Sequence, residues 1–260
     1  MYDHHIKAGN PGDVIKHVAL IAAANVLMRS CGGRFHYADT YSGYAYNPLR
    51  SAGEWRNGIG MIHDGKFVFC KEDVCFWREL WDCKYGLEGS VYPGSSVFIR
   101  KLCLKNGVTF QPRLWDVSPT AISQLMTAYC TQEAQIFSRP AILADFEGCT
   151  TNLLLVDPPD FDDIDKALSF FDLVDNVILW LPVTTVDGVE TVTSSDAYQK
   201  CRDRGLAAFS VMWGGSKNTK GCRLVCQLAP QALQAIKYAL LELVGAIEEW
   251  QIEVTAGQFG

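Results

Sequence analysis

Asn152-Leu153-Leu154-Leu155-Val156-Asp157-Pro158-Pro159 is the stretch that decides the fold. Four consecutive apolar residues closed by an acid and two prolines are too short for a helix. They predict a strand buried on both faces, as in the middle of a parallel sheet. Parallel strands need covering helices between them, so the flanking sequence should alternate between the two periodicities, and it does. Upstream, Asn10-Pro11-Gly12-Asp13 opens a helix, with Asn10 as cap, Pro11 at the first helical position and Asp13 in the first turn; Gly32-Gly33 stops it. A strand over 34–39 follows, then the loop Thr40-Tyr41-Ser42-Gly43. The turn at 92–96 leads into a helix, and strand 108–116 precedes a helix over 119–130. A strand is expected at 141–145. Downstream, helix 164–173, strand 176–181, a loop over 183–194, helix 195–204, strands 206–213 and 223–228 and a last helix over 230–249 complete the reading. The fold class is α/β with a mostly parallel sheet. Residues 1–260 are read as a single domain, with an inserted helical subdomain at about 46–91 that includes a helix-like segment over 72–81.

The composition excludes several classes. Among 260 residues 48% are hydrophobic and 20% charged, with seven Trp, which describes a globular chain able to bury a full core. A formal net charge of −6 rules out a protein whose whole surface coats phosphates, so any nucleic-acid contact must use a local patch. Lys7, Lys16, Arg34, Arg100, Lys101, Arg113, Lys217 and Lys220 are candidates for one, or are scattered surface charges. The ten Cys include no C-x-x-C pair and no zinc spacing, so they are read as reduced and structural, with no metal site. The start MYDHHIKAGN has no apolar core of a signal peptide, and no apolar run reaches membrane-spanning length. The expectation is a cytoplasmic protein with no membrane partner, acting as a monomer.

Ligands of open α/β sheets bind outside the carboxyl ends of the strands. Asp39, Asp116, Asp145 and Asp157 each close a predicted strand, where an acid can receive ribose hydroxyls or an amine, or can cap the next helix. The loop after the first strand has a single Gly43 rather than G-x-G-x-x-G, which disfavours a pyrophosphate cofactor. Neither a Walker motif nor a nucleophile elbow is present. Asp157-Pro158-Pro159 is the sharpest signal. Prolines leave carbonyls without competing N–H donors, so the Asp157 carboxylate and the Pro158 carbonyl can accept both hydrogens of an exocyclic amine and orient its nitrogen. A neighbouring aromatic, Phe161, can stack on an extruded base.

Several segments together resemble the RlmJ-type 23S ribosomal RNA adenine-N6 methyltransferases. They are Tyr2-Asp3-His4-His5 through Ala8-Gly9-Asn10 and Asp13-Val14-Ile15-Lys16-His17, then Tyr37-Ala38-Asp39-Thr40 with Gly43, and Gly53-Glu54-Trp55. Tyr92-Pro93-Gly94-Ser95, Val156-Asp157-Pro158-Pro159, Leu179-Trp180-Leu181-Pro182 and the segment at Gly221 continue the match in order over most of the chain. The resemblance implies a Rossmann-like S-adenosylmethionine-dependent methyltransferase fold, S-adenosylmethionine as methyl donor and an adenine in RNA, 23S rRNA or its precursor, as acceptor. It implies a cofactor site at His17, Asp39, Tyr41, Gly43, Ser95, Asp116 and Asp145. It places Asp157 with Pro158, Pro159 and Phe161 in the catalytic clamp, and Tyr2, His4, Asn10 and Lys16 toward the substrate. The family has Tyr directly after D-P-P where this chain has Asp160, and His where it has Tyr41. Two alternatives stay open: a non-catalytic relative that binds nucleic acid or cofactor, and a methyltransferase for another exocyclic or side-chain amine.

Overall fold

A computed structural model describes residues 7–63, 90–129, 133–158, 164–183, 185–186, 189–214, 220–247 and 250–255 of the chain. Helix α1 (Pro11–Met28) begins as its sequence dictates: the Asn10 side chain accepts from the Asp13 N–H at 2.9 Å and Pro11 occupies the first turn. It is apolar on nearly every face and almost wholly buried, as a helix enclosed by other elements must be. By length and hydropathy α1 would pass as a membrane span, contrary to the reading that no run was long enough. However, 83% of it is covered by the protein's own core.

Strand β1 (Arg34–Asp39) follows, then β2 (Tyr46–Pro48), a 3-10 turn over Glu54–Asn57, α2 (Ile59–His63) and β3 (Val91–Pro93). β2 and β3, at the two ends of the stretch read as an insertion, pair antiparallel; residues 64–89, including the helix expected at 72–81, lie outside the described residues. Next come α3 (Ser95–Lys105), β4 (Thr109–Asp116), α4 (Pro119–Ala128), β5 (Gln135–Ser138), β6 (Leu153–Val156), α5 (Ile164–Ser169), β7 (Val177–Val183), β8 (Thr185–Val186), β9 (Val189–Glu190), α6 (Val192–Asp203), β10 (Ala207–Trp213), β11 (Lys220–Gln227), α7 (Pro230–Gly245) and β12 (Trp250–Thr255).

Eight strands form one sheet in the order β12-β10-β11-β7-β6-β1-β4-β5. β5, β4, β1, β6 and β7 run parallel, and β11 enters antiparallel between β7 and β10. The chain leaves β1 in one direction through β4 and β5, then returns to lay β6 on the other side of β1. That reversal makes the carboxyl ends of β1 and β6 the topological switch point, where such sheets bind ligands. One face of the sheet (Phe35, Tyr37, Leu153, Leu155, Ile178) packs in one core cluster with α1, α3 and α7. The other face (Ala38, Trp115, Leu154, Val156, Leu179) packs with Phe146, α5 and the Phe170–Phe171 turn.

Three expectations are corrected. Residues 141–145 are not a strand: Leu143–Asp145 is a 3-10 turn, and the strand that pairs with β4 is Gln135–Ser138. The Asp145 carboxylate accepts the Ile142 N–H at 2.9 Å and so closes a turn where a strand would need extended backbone. The loop expected at 183–194 contains the short hairpin β8–β9 and the start of α6, capped by Thr191. Finally, the last helix stops at Gly245 and a further strand, β12, pairs antiparallel with β10.

Candidate active site

The switch point is built from the loop after β1, the end of β4, the turn after β6 and the first two turns of α1. Asp157 follows the last residue of β6, and a lysine from α1 reaches it: Lys16 Nζ lies 2.6 Å from Asp157 Oδ2 and 3.0 Å from Asp13 Oδ1. Lys16 is 8% exposed, and its ammonium lies 5.9 Å from the centre of the Trp180 ring on β7. Burial alone would discharge such an amine, but the two carboxylates outweigh that cost and hold its pKa well above the ordinary lysine value. Burial likewise opposes ionisation of Asp13, and the Lys16 charge reverses it, so that the Asp13 pKa falls below the usual range.

Asp39 ends β1 and is 1% exposed. Its carboxylate accepts from the Tyr37 hydroxyl at 2.9 Å and the Tyr41 N–H at 3.2 Å. Burial pushes its pKa up to about 7, with the nearby Asp157 charge adding to the effect. The loop that follows is tied down donor by donor. Thr40 N–H goes to Leu155 O, Ser42 N–H to Trp115 O, and Gly43 N–H to Asp116 Oδ2 at 2.8 Å. Gly43 has φ +60 and open space where a Cβ would stand. Asp116 at the end of β4 also accepts the Ser118 N–H at 2.7 Å, so its carboxylate joins the loops after β1 and β4. A carboxylate offers about four acceptor positions, and the two N–H bonds leave capacity for a ligand hydroxyl. Beside it Val117 is 66% exposed, and Ile142, after β5, is 50% exposed.

Other sequence candidates have definite internal duties. His17 is 2% exposed, with Nδ1 2.9 Å from the Tyr92 hydroxyl and Nε2 2.9 Å from Ser95 Oγ. Burial, reinforced by the Lys16 charge, lowers its pKa to about 3, so the ring is neutral. It ties α1 to the Tyr92–Ser95 turn that starts α3. Asn10 caps α1. Asp145 is held by a bidentate pair with Arg139 at 2.6 and 2.8 Å, and Arg113 donates to its backbone carbonyl. Tyr41 packs at the edge of the core cluster around Trp115. The structure therefore brings together Asp157, Lys16, Asp39, Gly43 and Asp116, and sets Asp145 in an ion pair of its own. Tyr2, His4, Pro159, Asp160 and Phe161 lie outside the described residues.

Sequence reasoning missed Asp13 as a site residue and read it only as a helix-dipole acid. The signal was available, because residues three apart on a helix are neighbours and Lys16 follows Asp13 by three. Among the described basic candidates, Lys16 is buried at the carboxyl rim, Arg34 starts β1 at the opposite end of the sheet, and Arg100 pairs with Glu133, so these three do not share one patch; Lys217 lies outside the described residues. Among the described residues no group of His, Cys, Asp and Glu could hold a metal, and the six cysteines are unpaired.

β11 is a reversed strand lying between the fifth and sixth parallel strands, β7 and β10. The fold is a Rossmann-like, doubly wound α/β fold with a mostly parallel sheet. No protein-family model and no curated protein matches the chain. Among solved structures, a Legionella pneumophila protein of the DUF519 family matches with a TM-score of 0.74 and 18% identity, covering 96% of this chain and 98% of that one. A protein of Listeria monocytogenes assigned to the class I S-adenosylmethionine-dependent methyltransferases matches at 0.42 and 10% identity, over 88% of this chain and 63% of that one. A protein of Pyrococcus horikoshii assigned as an RNA methyltransferase matches at 0.41 and 9% identity, over 87% of each chain.

Proposed function

We propose that the chain transfers a methyl group from S-adenosylmethionine to an exocyclic amine, the 6-amino group of an adenine in RNA, as an RlmJ-type enzyme acting on 23S rRNA or its precursor. The observation that carries this reading is Asp157-Pro158 at the end of β6, directly at the switch point, with the carboxylate held by the buried Lys16. The residues present fit the cofactor. Asp116 has acceptor capacity for ribose hydroxyls, and exposed Val117 and Ile142 offer apolar surface for a heterocycle. Ser95 lies on the rim beside His17, and Gly43 leaves room for close approach. S-adenosylmethionine, when bound, supplies an electrophilic methyl group.

The chain's own task is then to fix the amine. The Asp157 carboxylate and the Pro158 carbonyl accept its two hydrogens, which turns the nitrogen lone pair outward and raises its electron density as the new bond forms. The nitrogen sheds one proton after transfer. The N-terminal block from Tyr2 to His17 supports RNA adenine as the acceptor through its resemblance, and the neutral Pro158 carbonyl suits an uncharged amine.

Purified protein incubated with tritiated-methyl S-adenosylmethionine and a 23S rRNA transcript is expected to yield N6-methyladenosine on nuclease digestion. Asp157→Ala should lower transfer by about 10²–10³-fold while cofactor affinity is kept. Full turnover in that variant would overturn the assignment of Asp157. Label in a protein substrate instead of RNA would move the acceptor to a side-chain amine.

A further inference from the structure

Asp13 has two faces. Its Oδ2 accepts the Gly9 N–H at 3.0 Å, and its Oδ1 meets Lys16 Nζ at 3.0 Å. Gly9 is a tightly held turn with φ +72; its carbonyl accepts the Ile59 N–H at 2.9 Å, and a Cβ on Gly58 would stand 2.2 Å from that carbonyl oxygen. The segment entering α1 is thus fixed to the start of α2 at Gly58 and Ile59 on one side and to Asp13 on the other. On the far side of Asp13 stands the ammonium that also binds Asp157. Lys16 is shared between two carboxylates 144 residues apart, Asp13 on its own helix and Asp157 after β6.

We propose that Asp13 is a positioning residue for the reaction: it shares the Lys16 ammonium with Asp157 and so divides its hydrogen bonding, so that the Asp157 carboxylate can accept the substrate amine while remaining charge-compensated. This rests on the reading of Asp157 as the amine acceptor. An ammonium 2.6 Å from a carboxylate in a buried setting competes directly with an incoming N–H donor. A second carboxylate, 3.0 Å from the same ammonium, takes part of its hydrogen bonding and weakens that competition without leaving a buried charge unpaired. Asp13 reaches the chemistry only through Lys16.

Asp13→Asn separates this role from the turn at Gly9. The amide keeps one oxygen for the Gly9 N–H and presents a donor, in place of an acceptor, to Lys16. We expect the variant to fold with a lowered melting temperature, since Lys16 keeps only Asp157 as a charge partner, to bind S-adenosylmethionine equally well, and to lose about 10²-fold in the single-turnover rate of methyl transfer, the scale set by mispositioning in a reacting pair. Asp13→Glu, which restores an acceptor, should recover part of the rate. Independently of activity, ¹⁵N NMR of the Lys16 ammonium should show a signal protected from exchange in the parent, and shifted with faster exchange in Asp13→Asn.

An unchanged ammonium signal together with an unchanged rate would overturn the proposal. So would equal rate loss in Asp13→Asn and Asp13→Glu with an unchanged ammonium signal. A parent protein without methyl transfer to any RNA overturns the proposed reaction, and the ammonium signal then decides the ionic triad by itself.

Discussion

Asp39 on β1 and His17 on α1 are both buried titratable residues, and burial drives their pKa values in opposite directions. Asp39 holds its proton up to about pH 7 when folded and releases it near pH 4 when unfolded. Between those values the folded chain binds more protons, so stability falls as pH rises through that window. His17 stays neutral down to about pH 3, whereas the unfolded ring protonates near 6.5. Below that value the unfolded chain binds more protons, so stability falls as pH drops. The two slopes oppose each other between about pH 4 and 6.5. Asp39→Asn keeps an acceptor for Tyr41 and removes only one slope. It should stabilise the chain at pH 8 by on the order of 3 kcal/mol and unmask a steeper loss toward acid, measured by urea unfolding from pH 4.5 to 8. Parallel curves for parent and variant would contradict this.

At the scale of elements, glycines at the contact of the α1 entry with the start of α2 decide how closely backbones approach. A Cβ on Gly58 would lie 2.2 Å from Gly9 O and 2.4 Å from the Asn10 carbonyl carbon, both backbone atoms with no flexible side chain to yield. Gly58→Ala should cost about 3 kcal/mol or more, a fall of roughly 6–12 °C in Tm at this size. It should also displace the α1 start that carries Asp13 and Lys16. A Tm within a degree of the parent would show that the junction is looser than described.

This scale is also where sequence legibility divides. β1 and the start of α1 were readable because their signals are local: Asn10 caps from three residues away, and Gly32-Gly33 separates helix from strand. β12 was not, although Trp250, Ile252 and Val254 alternate. It follows an amphipathic helix without a strong stop signal, and its identity as a strand comes from β10, some forty residues earlier in the chain. The apolar run at 141–144 had the composition of a strand but no neighbour to pair with, and Asp145 folds it into a turn. Asp157 was placed by local pattern, since a core strand ended by two prolines has few other meanings. The Lys16–Asp157 contact spans 141 residues and belongs to the tertiary fold.

For the molecule as a whole, the sheet reversal puts one strand-end acid from each side of the switch point, Asp39 and Asp157, on the same rim as Asp116. Everything proposed for the chain follows from a cofactor bound there. Because the Gly43 N–H and its neighbours are consumed inside the protein, affinity should rest on side chains: Asp116→Ala should weaken cofactor binding tenfold or more, about 1.4 kcal/mol, and undiminished affinity would remove Asp116 from the site. The most direct measurement is calorimetric titration of the purified parent protein with S-adenosylmethionine. One site per chain with a micromolar Kd, on the order of −8 kcal/mol, is the expected result. No binding heat at millimolar cofactor, at two temperatures, would contradict the methyltransferase reading.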